Sequence, residues 1–586
     1  MKLSSPLSTP AAALLALLTA TLTACPTLAQ TPQDTPQDTT QVQRTVVVEQ
    51  EYTPTLGTAR RVSALPAVSP PTATRSEVEY VQTALPASTV PADTMQALSP
   101  SPEADAPAAP GYVRLGAGIG GRIDAKAHYL FSLSARDRLS IGLDFDGRQG
   151  DVDLLDADGD WESRHFQTRL GLDYTHDWDH SALNLAAHWG VNNLNYRPDA
   201  IDGRQRFTRG GVHIGWDATR APLPLAVKAE TNALFFSRKA DLLGADLKET
   251  LIRTRLEATG SINTRQSVGL ALSMDNAFYS VGTPLTTSST DADETSSSLA
   301  AADLESHTDL FLNPYYLYTA GEGDALRLRV GAHVDLGLGF GTAIRVAPDM
   351  TLDYHFARYA TLSLRATGGK RMNDFRQLAA HSPYGQILTT PEATYEPLNA
   401  SVGLQISPMD GLYLHLFGGY QWLRDDLVEG DYSALDTATD GYANYLYSTH
   451  TRNGYVGARL TYSYRDLFTL QASATYRAWD SSWDDDAATD DPALAYKPQL
   501  DAQVEVGFHP TAALHIGLGY HHTTRPEVSG VKADDISNLY LHATYDLLRW
   551  ATIYIQADNL LDQTYAYHRA YAAPGFALWG GLAFKF

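Results

Sequence analysis

Cysteine is almost missing from this chain: Cys25 is the single one in 586 residues, which rules out a disulfide framework and any multi-cysteine metal cluster. Long apolar runs are missing too. Beyond the first thirty residues nothing approaches the roughly 18 apolar residues that a membrane-crossing helix needs, and mean hydropathy is −0.24; such a chain spans a membrane only as strands. Positive charge is scarce, with 44 Lys and Arg against 67 Asp and Glu and a net charge of −23. No nucleic-acid partner is therefore expected, because phosphate binding wants a basic face. The 18 His residues show no His-Glu-x-x-His spacing, and no motif sets a nucleophile beside a base, so neither an enzyme, a zinc site nor a cofactor site is expected. What is abundant is tyrosine, 32 residues, and glycine, 44, the currency of strands, tight approaches and membrane interfaces.

The first 29 residues read as a signal peptide. Lys2 precedes an apolar stretch from Ala11 to Ala24, and two processing sites compete. Thr27-Leu28-Ala29 before Gln30 suits ordinary cleavage, whereas Leu22-Thr23-Ala24-Cys25 suits a lipobox in which Cys25 is acylated. Both imply export. Residues 30–110 then form a Pro-rich segment, with Pro54, Pro66, Pro70, Pro71, Pro86 and Pro91 among its prolines. That spacing breaks helices and central strands alike, and a mostly extended periplasmic segment is predicted.

From residue 111 to 586 the pattern switches to two-residue alternation in segments bounded by Gly, Asp, Asn or Pro. Leu326, Leu328, Val330, Ala332, Val334 and Leu336 share one face, and Arg327, Arg329, Gly331, His333 and Asp335 the other. Likewise Leu139, Ile141, Leu143 and Phe145 oppose Ser140, Gly142, Asp144 and Asp146. One face wants lipid and the other water. About 22 such segments follow one another, an even number. Every second connection is short, as at residues 135–138, 264–266, 357–359 and 409–411. Long ones lie between, at 283–306, 374–394, 428–451 and 482–495. This sorting predicts an all-β, antiparallel transmembrane barrel in an outer membrane, with both termini periplasmic. The terminal face Leu578, Leu582, Phe584, Phe586 ends on an aromatic, and Phe584 and Phe586 are the expected assembly signal for the outer-membrane insertion machinery.

Arg327, Arg329, His333, Asp335, Asp144 and Asp146 are the candidate lumen-lining residues. Asp151, Asp153, Asp156, Asp158 and Asp160, and a second group at Asp484, Asp485, Asp486, Asp490 and Asp491, are oxygen-rich enough for Ca²⁺. The first departs from the EF-hand template, and solvated acidic loops are the alternative. Gly116-x-Gly118-x-x-Gly121 matches a dinucleotide motif in letters, but a strand follows it where that motif needs a helix. Tyr174, Tyr196, Tyr315, Tyr316, Tyr413, Trp422, Tyr554 and Trp579 suit aromatic girdles or the lumen. The expected surroundings are lipid and lipopolysaccharide.

Near the C-terminus, Asn559-Leu560-Leu561-Asp562-Gln563-Thr564-Tyr565, then Pro574-Gly575 and the last strand Gly581 to Phe586, resemble the end of TonB-dependent receptors. The resemblance covers the barrel region and implies solute transport, or pore or receptor activity, in a barrel of about 22 strands. It points to a Bacteroidota-type relative that lacks the family's plug, since no folded plug suits residues 30–110. Thr45, Val46, Val47, Val48 and Glu49 look like a TonB box, which would pair with TonB by strand addition. A plugless barrel of this width needs closing: by the Pro-rich segment, by the long loops, or by a second protein such as a lipoprotein. The rival expectation is a non-transporting barrel that serves as a subunit of an envelope complex.

Overall fold

The computed structural model describes residues 109–586 apart from 156–158, 198–203, 220–224, 240–245, 283–303, 322, 388, 432–443 and 482–489. The signal peptide, the Pro-rich segment and the 45–49 motif lie outside the described residues.

Twenty-two strands form one antiparallel sheet. In chain order they begin β1 Gly111–Ile119, β2 Arg122–Ser132, β3 Asp137–Asp153, β4 Asp160–Asp177, β5 Ala182–Asn195 and β6 Arg204–Asp217. Next come β7 Leu225–Arg238, β8 Leu247–Asn263, β9 Gln266–Val281, β10 His307–Ala320, β11 Leu326–Leu338, β12 Ile344–Ala357 and β13 Ala360–Arg371. After a short helix, α1 Phe375–His381, follow β14 Thr394–Met409, β15 Leu412–Asp431, β16 Asn444–Tyr464, β17 Phe468–Asp480, β18 Leu500–Thr511 and β19 Leu514–Thr524. The sheet ends with β22 Ile536–Leu548, β23 Ala551–Asp558 and β26 Ala577–Lys585. Two small ribbons, β20 Glu527–Val528 with β21 Val531–Lys532 and β24 Ala566–His568 with β25 Tyr571–Ala572, decorate the connections.

The sheet closes on itself. β1 pairs with β26 from Tyr112 opposite Lys585 to Ile119 opposite Leu578, so no row of backbone donors and acceptors is left at an edge, which is the condition for crossing lipid as strands. Alternation then sorts side chains by face. Leu115, Ile123, Leu143, Leu170, Val212, Ile214, Phe235, Val330, Met350, Val402, Leu518, Ile555 and Leu582 are all exposed. An apolar face running round the whole cylinder is untenable in water at roughly 25 cal/mol per Å². Acyl chains solvate it instead.

The two rims differ. One carries Gly111 beside Phe586 and two- to seven-residue turns such as Thr264–Arg265 and Asp410–Gly411; the other carries the long connections. The long-loop rim has one tight turn, at Gly120 and Gly121, where φ values of +75° and +62° are met without a side-chain clash only by glycine. This accounts for part of the Gly116–Gly121 motif. Gly116 lets the Tyr554 hydroxyl approach the β1 backbone, because a Cβ there would meet it at 1.8 Å.

The expected long connection at 428–451 proves shorter. β15 runs on to Asp431 and β16 starts at Asn444, with pairing continued by Leu427 opposite Ser448, Val428 opposite Tyr447 and Glu429 opposite Leu446. The expected loop at 374–394 contains α1, capped by the Asp374 carboxylate accepting from the Gln377 amide at 2.9 Å.

Candidate functional site: the lumen and its inward loop

The inward face is a mosaic of paired charges. At the closing seam Arg114 and Asp124 are both almost fully buried; Arg114 donates through Nε at 2.9 Å and Nη2 at 2.8 Å. The Tyr554 hydroxyl donates to the other oxygen of Asp124 at 2.7 Å, and the Arg114 guanidinium lies over the Tyr554 ring. Each member satisfies the next, as buried charges must.

A second network joins β8 and β10–β12. Arg329 Nε donates to Asp349 at 2.8 Å, Asn313 Nδ2 donates to the same oxygen at 2.9 Å, and the His333 ring is 3.0 Å from Asn313 Nδ2. The Arg329 guanidinium stands 3.7 Å above the Tyr315 ring, whose hydroxyl donates to Glu257 at 2.6 Å. Two of the sequence candidates, Arg329 and His333, thus meet through Asn313 and Asp349. Asp335 stands apart, accepting from the Lys370 amide at 2.9 Å. Arg327 lies opposite Asp353 of β12 in register. Asp144 and Asp146 are on β3, where Asp144 is 3.4 Å from His128 and Asp146 accepts from Arg122 at 3.4 Å. The six candidates are therefore distributed over two separate strands, β3 and β11, with different partners. Of the eight aromatic candidates, Tyr196, Tyr315, Tyr554 and Trp579 are buried.

The connection between β13 and β14, residues 372–393, does not project outward; it packs into the barrel. A register shift between Thr367 and Gly369 turns Lys370 inward, where its Nζ meets Asp309 at 2.5 Å. At the start of α1 the Phe375 amide donates to Glu249 of β8 at 2.9 Å. Phe375 and Leu378, spaced one helical turn apart, then pack with Leu194, Phe207, Phe236 and Leu247 from one side of the barrel and Leu427 and Leu446 from the other. The returning limb is clamped as well. Arg238 Nη1 donates to Gly385 O at 2.7 Å, Gln386 N to Asn444 O at 2.7 Å, Leu446 N to Gln386 O at 3.0 Å, and Ser382 Oγ to Glu429 at 2.6 Å.

The β23–β26 connection covers this loop. Tyr571 stacks on Tyr384 with centroids 3.6 Å apart and planes 6° apart. Arg197 donates to Ala570 O at 2.8 Å and Asn444 to Arg569 O at 2.9 Å. Burial has electrical consequences in these connections. It raises the Asp374 carboxyl and the Tyr384 hydroxyl above their ordinary values, lowers the His381 imidazole to about 4, and pushes Tyr567 up to about 12.

Sequence reading missed α1 and the Tyr384–Tyr571 stack. The helix did leave a trace, Asp374 as an N-cap before Phe375-Arg-Gln-Leu-Ala-Ala-His381. The stack left none, because its rings are separated along the chain by eight barrel strands, β14–β19, β22 and β23. Among the described residues no group of three His, Cys, Asp or Glu is placed to hold a metal ion. Asp490 and Asp491 have other work: Asp490 accepts from the Ser481 amide at 2.7 Å, and Asp491 caps the turn Pro492–Tyr496. Asp156, Asp158, Asp484, Asp485 and Asp486 lie outside the described residues.

No family model and no curated relative matches the sequence. Solved structures do. The fold is a closed 22-strand barrel, and the solved structures that share it include outer-membrane receptors. The copper transporter OprC superposes with a TM-score of 0.61 at 15% identity, over 81% of this chain and 80% of that one. The FrpB iron transporter of Neisseria meningitidis gives 0.62 at 10% identity, over 82% and 81%. The pyoverdine-bound FpvA of Pseudomonas aeruginosa gives 0.60 at 12% identity, over 81% and 71%. At such identities the likeness defines the fold.

Proposed function

We propose that this chain is an outer-membrane barrel of the TonB-dependent receptor type that binds and passes a solute through its lumen, with the short-turn rim and both termini in the periplasm. The observation that carries this reading is the inward loop. Residues 372–393 cross the lumen of a barrel otherwise wide enough to be a large hole, and they are anchored to strands on both sides by an apolar cluster, Phe375, Leu378 and Ile387 against Leu194, Phe207, Phe236, Leu247, Leu427 and Leu446. A lumen lined with charged and polar side chains and closed by one of its own connections has the layout of a gated passage rather than of a solid support. The Arg329–His333 network and the Asp144 and Asp146 side chains would then meet the solute. Phe584 and Phe586 would serve insertion, and residues 45–49 an energising partner.

Planar-bilayer recording tests this. The wild-type chain is expected to show small or intermittent conductance, and a variant with residues 375–386 replaced by a short Gly-Ser turn a steady, several-fold larger one. A folded replacement variant as impermeable as the wild type would instead identify a non-transporting subunit of an envelope complex.

A further inference from the structure

Beneath the inward loop lies a cavity of about 620 Å³, and its charge is the reverse of the chain's. Six Arg and Lys side chains line it against four carboxylates, in a protein whose acidic residues outnumber basic ones 67 to 44. The excess is concentrated on the wall formed by β3–β6. Arg148 stands opposite His165 in register; Arg169 and Arg209 flank Gly190 of β5 from its two neighbouring strands. Gly190 is what allows this: a Cβ there would come within 3.1 Å of Arg209 Nε, so the missing side chain leaves room for that guanidinium to lie over the β5 backbone. The loop adds Arg376 to the same wall, with Nη1 3.1 Å from His188 and Nη2 donating to Gly210 O.

The four carboxylates offset only part of this charge: Asp146 and Asp558 act on Arg148, and each has a nearer hydrogen-bond partner. Asp146 faces Arg122, Asp144 faces His128, Glu505 accepts from the Tyr540 hydroxyl at 3.0 Å, and Asp558 accepts from Asn538 at 2.9 Å. Arg148 keeps a buried Nε with no hydrogen-bond partner, an orphan donor of the kind a ligand oxygen satisfies. Guanidiniums gathered on one partly dry wall repel one another, less screened there than in bulk water. An anion removes that repulsion, and the planar guanidinium fork matches a carboxylate or phosphate edge.

We propose that the Arg148–Arg169–Arg209–Arg376 wall binds a multiply charged organic anion, one whose charge is carried by carboxylate or phosphate groups, and that this is the class of solute the barrel admits. The second half rests on the transport reading above; the binding site itself does not.

Titration calorimetry on the full-length protein in detergent tests it, with citrate and inorganic phosphate as probes and choline as the cationic control. Saturable binding of citrate or phosphate is expected, with none of choline. Arg148→Gln and Arg169→Gln should each weaken it at least tenfold, whereas Arg465→Gln, in the turn between β16 and β17, should leave it unchanged. Heat-shifted electrophoretic mobility reports that each variant is folded. Arg169 is the decisive position, because its side chain is exposed and its substitution buries nothing unpaired. Absence of saturable anion binding, or binding undiminished in the folded double variant, overturns the site. The two readings fail separately: a loop-replaced barrel that conducts while the wild-type protein fails to bind citrate sinks only the site, and Arg169-dependent citrate binding in the wild-type protein, with a loop-replaced barrel that never conducts, sinks only the transport.

Discussion

Single residues in this lumen carry more weight than their number suggests, because each sits where water is excluded and its partner has no substitute. Arg114, Asp124 and Tyr554 illustrate the rule at the closing seam. Arg114→Ala strands a buried carboxylate, and a loss of about 3–5 kcal/mol is expected from the barrel's urea unfolding, against about 1 kcal/mol for Tyr554→Phe, which removes one hydroxyl donor. His381 is one of the titrating residues of the loop. Burial holds its imidazole at about 4, below the ordinary 6.5, among Glu429, Asp426, Lys497 and His568. A depressed histidine means that the undocked loop takes up the proton first, so docking is unaffected above pH 6.5 and weakens as pH falls from 6.5 toward 4. Asp374 acts in the opposite sense, since its raised carboxyl is relieved by acid. The Gln386 and Leu446 amides, which donate across the loop–wall junction, should therefore lose protection against hydrogen exchange, measured relative to the intrinsic rate at each pH, between pH 7 and 5 through His381. In His381→Asn that loss of protection should vanish; if it persists unchanged, His381 is not its source.

At the scale of the element, the inward loop is held by a helix of two turns that would be too short to stand alone. Its stability is borrowed from the wall. Phe375→Ala and Leu378→Ala each empty a site in the apolar cluster and are expected to destabilise docking by about 3 kcal/mol, and Asp374→Ala by about 1 kcal/mol through loss of the cap. Hydrogen exchange over residues 373–387 should rise accordingly, while exchange in β3 and β18 stays at its wild-type rate. The sequence announced the strands on either side far more clearly than this element. Alternation over Leu326–Leu338 is a strong local signal, whereas α1 shows only a cap and an i, i+3 pair. Its inward orientation depends on a register shift at Thr367–Gly369 and on Glu249, which lies 126 residues away along the chain.

At the largest scale, the described barrel has unlike rims, and that asymmetry predicts an orientation. With Cys25 replaced by Ser, single cysteines at Thr564 and Ser529 in the long connections should react with an impermeant maleimide on intact cells. Cysteines at Asp410 and Arg465 in the short turns should react only after the envelope is opened. The reverse pattern would invert the barrel and move the proposed anion site beneath an entrance facing the periplasm.

What the sequence determined by itself was the two-faced strand, the number of strands and the sorting of short and long connections. These are local quantities: period-two alternation and turn residues are written within ten or twenty neighbours, and lipid on one side and water on the other leave the chain little choice. It also named Arg329, His333, Asp335, Asp144 and Asp146 as facing away from the apolar side, but not their partners. Only the tertiary structure decided that the 372–393 connection turns inward, that Tyr384 meets Tyr571, and that Arg148, Arg169, Arg209 and Arg376 share one wall. Closing the sheet brings distant strands across a common interior, and such contacts depend on curvature and register that no stretch of the chain encodes alone.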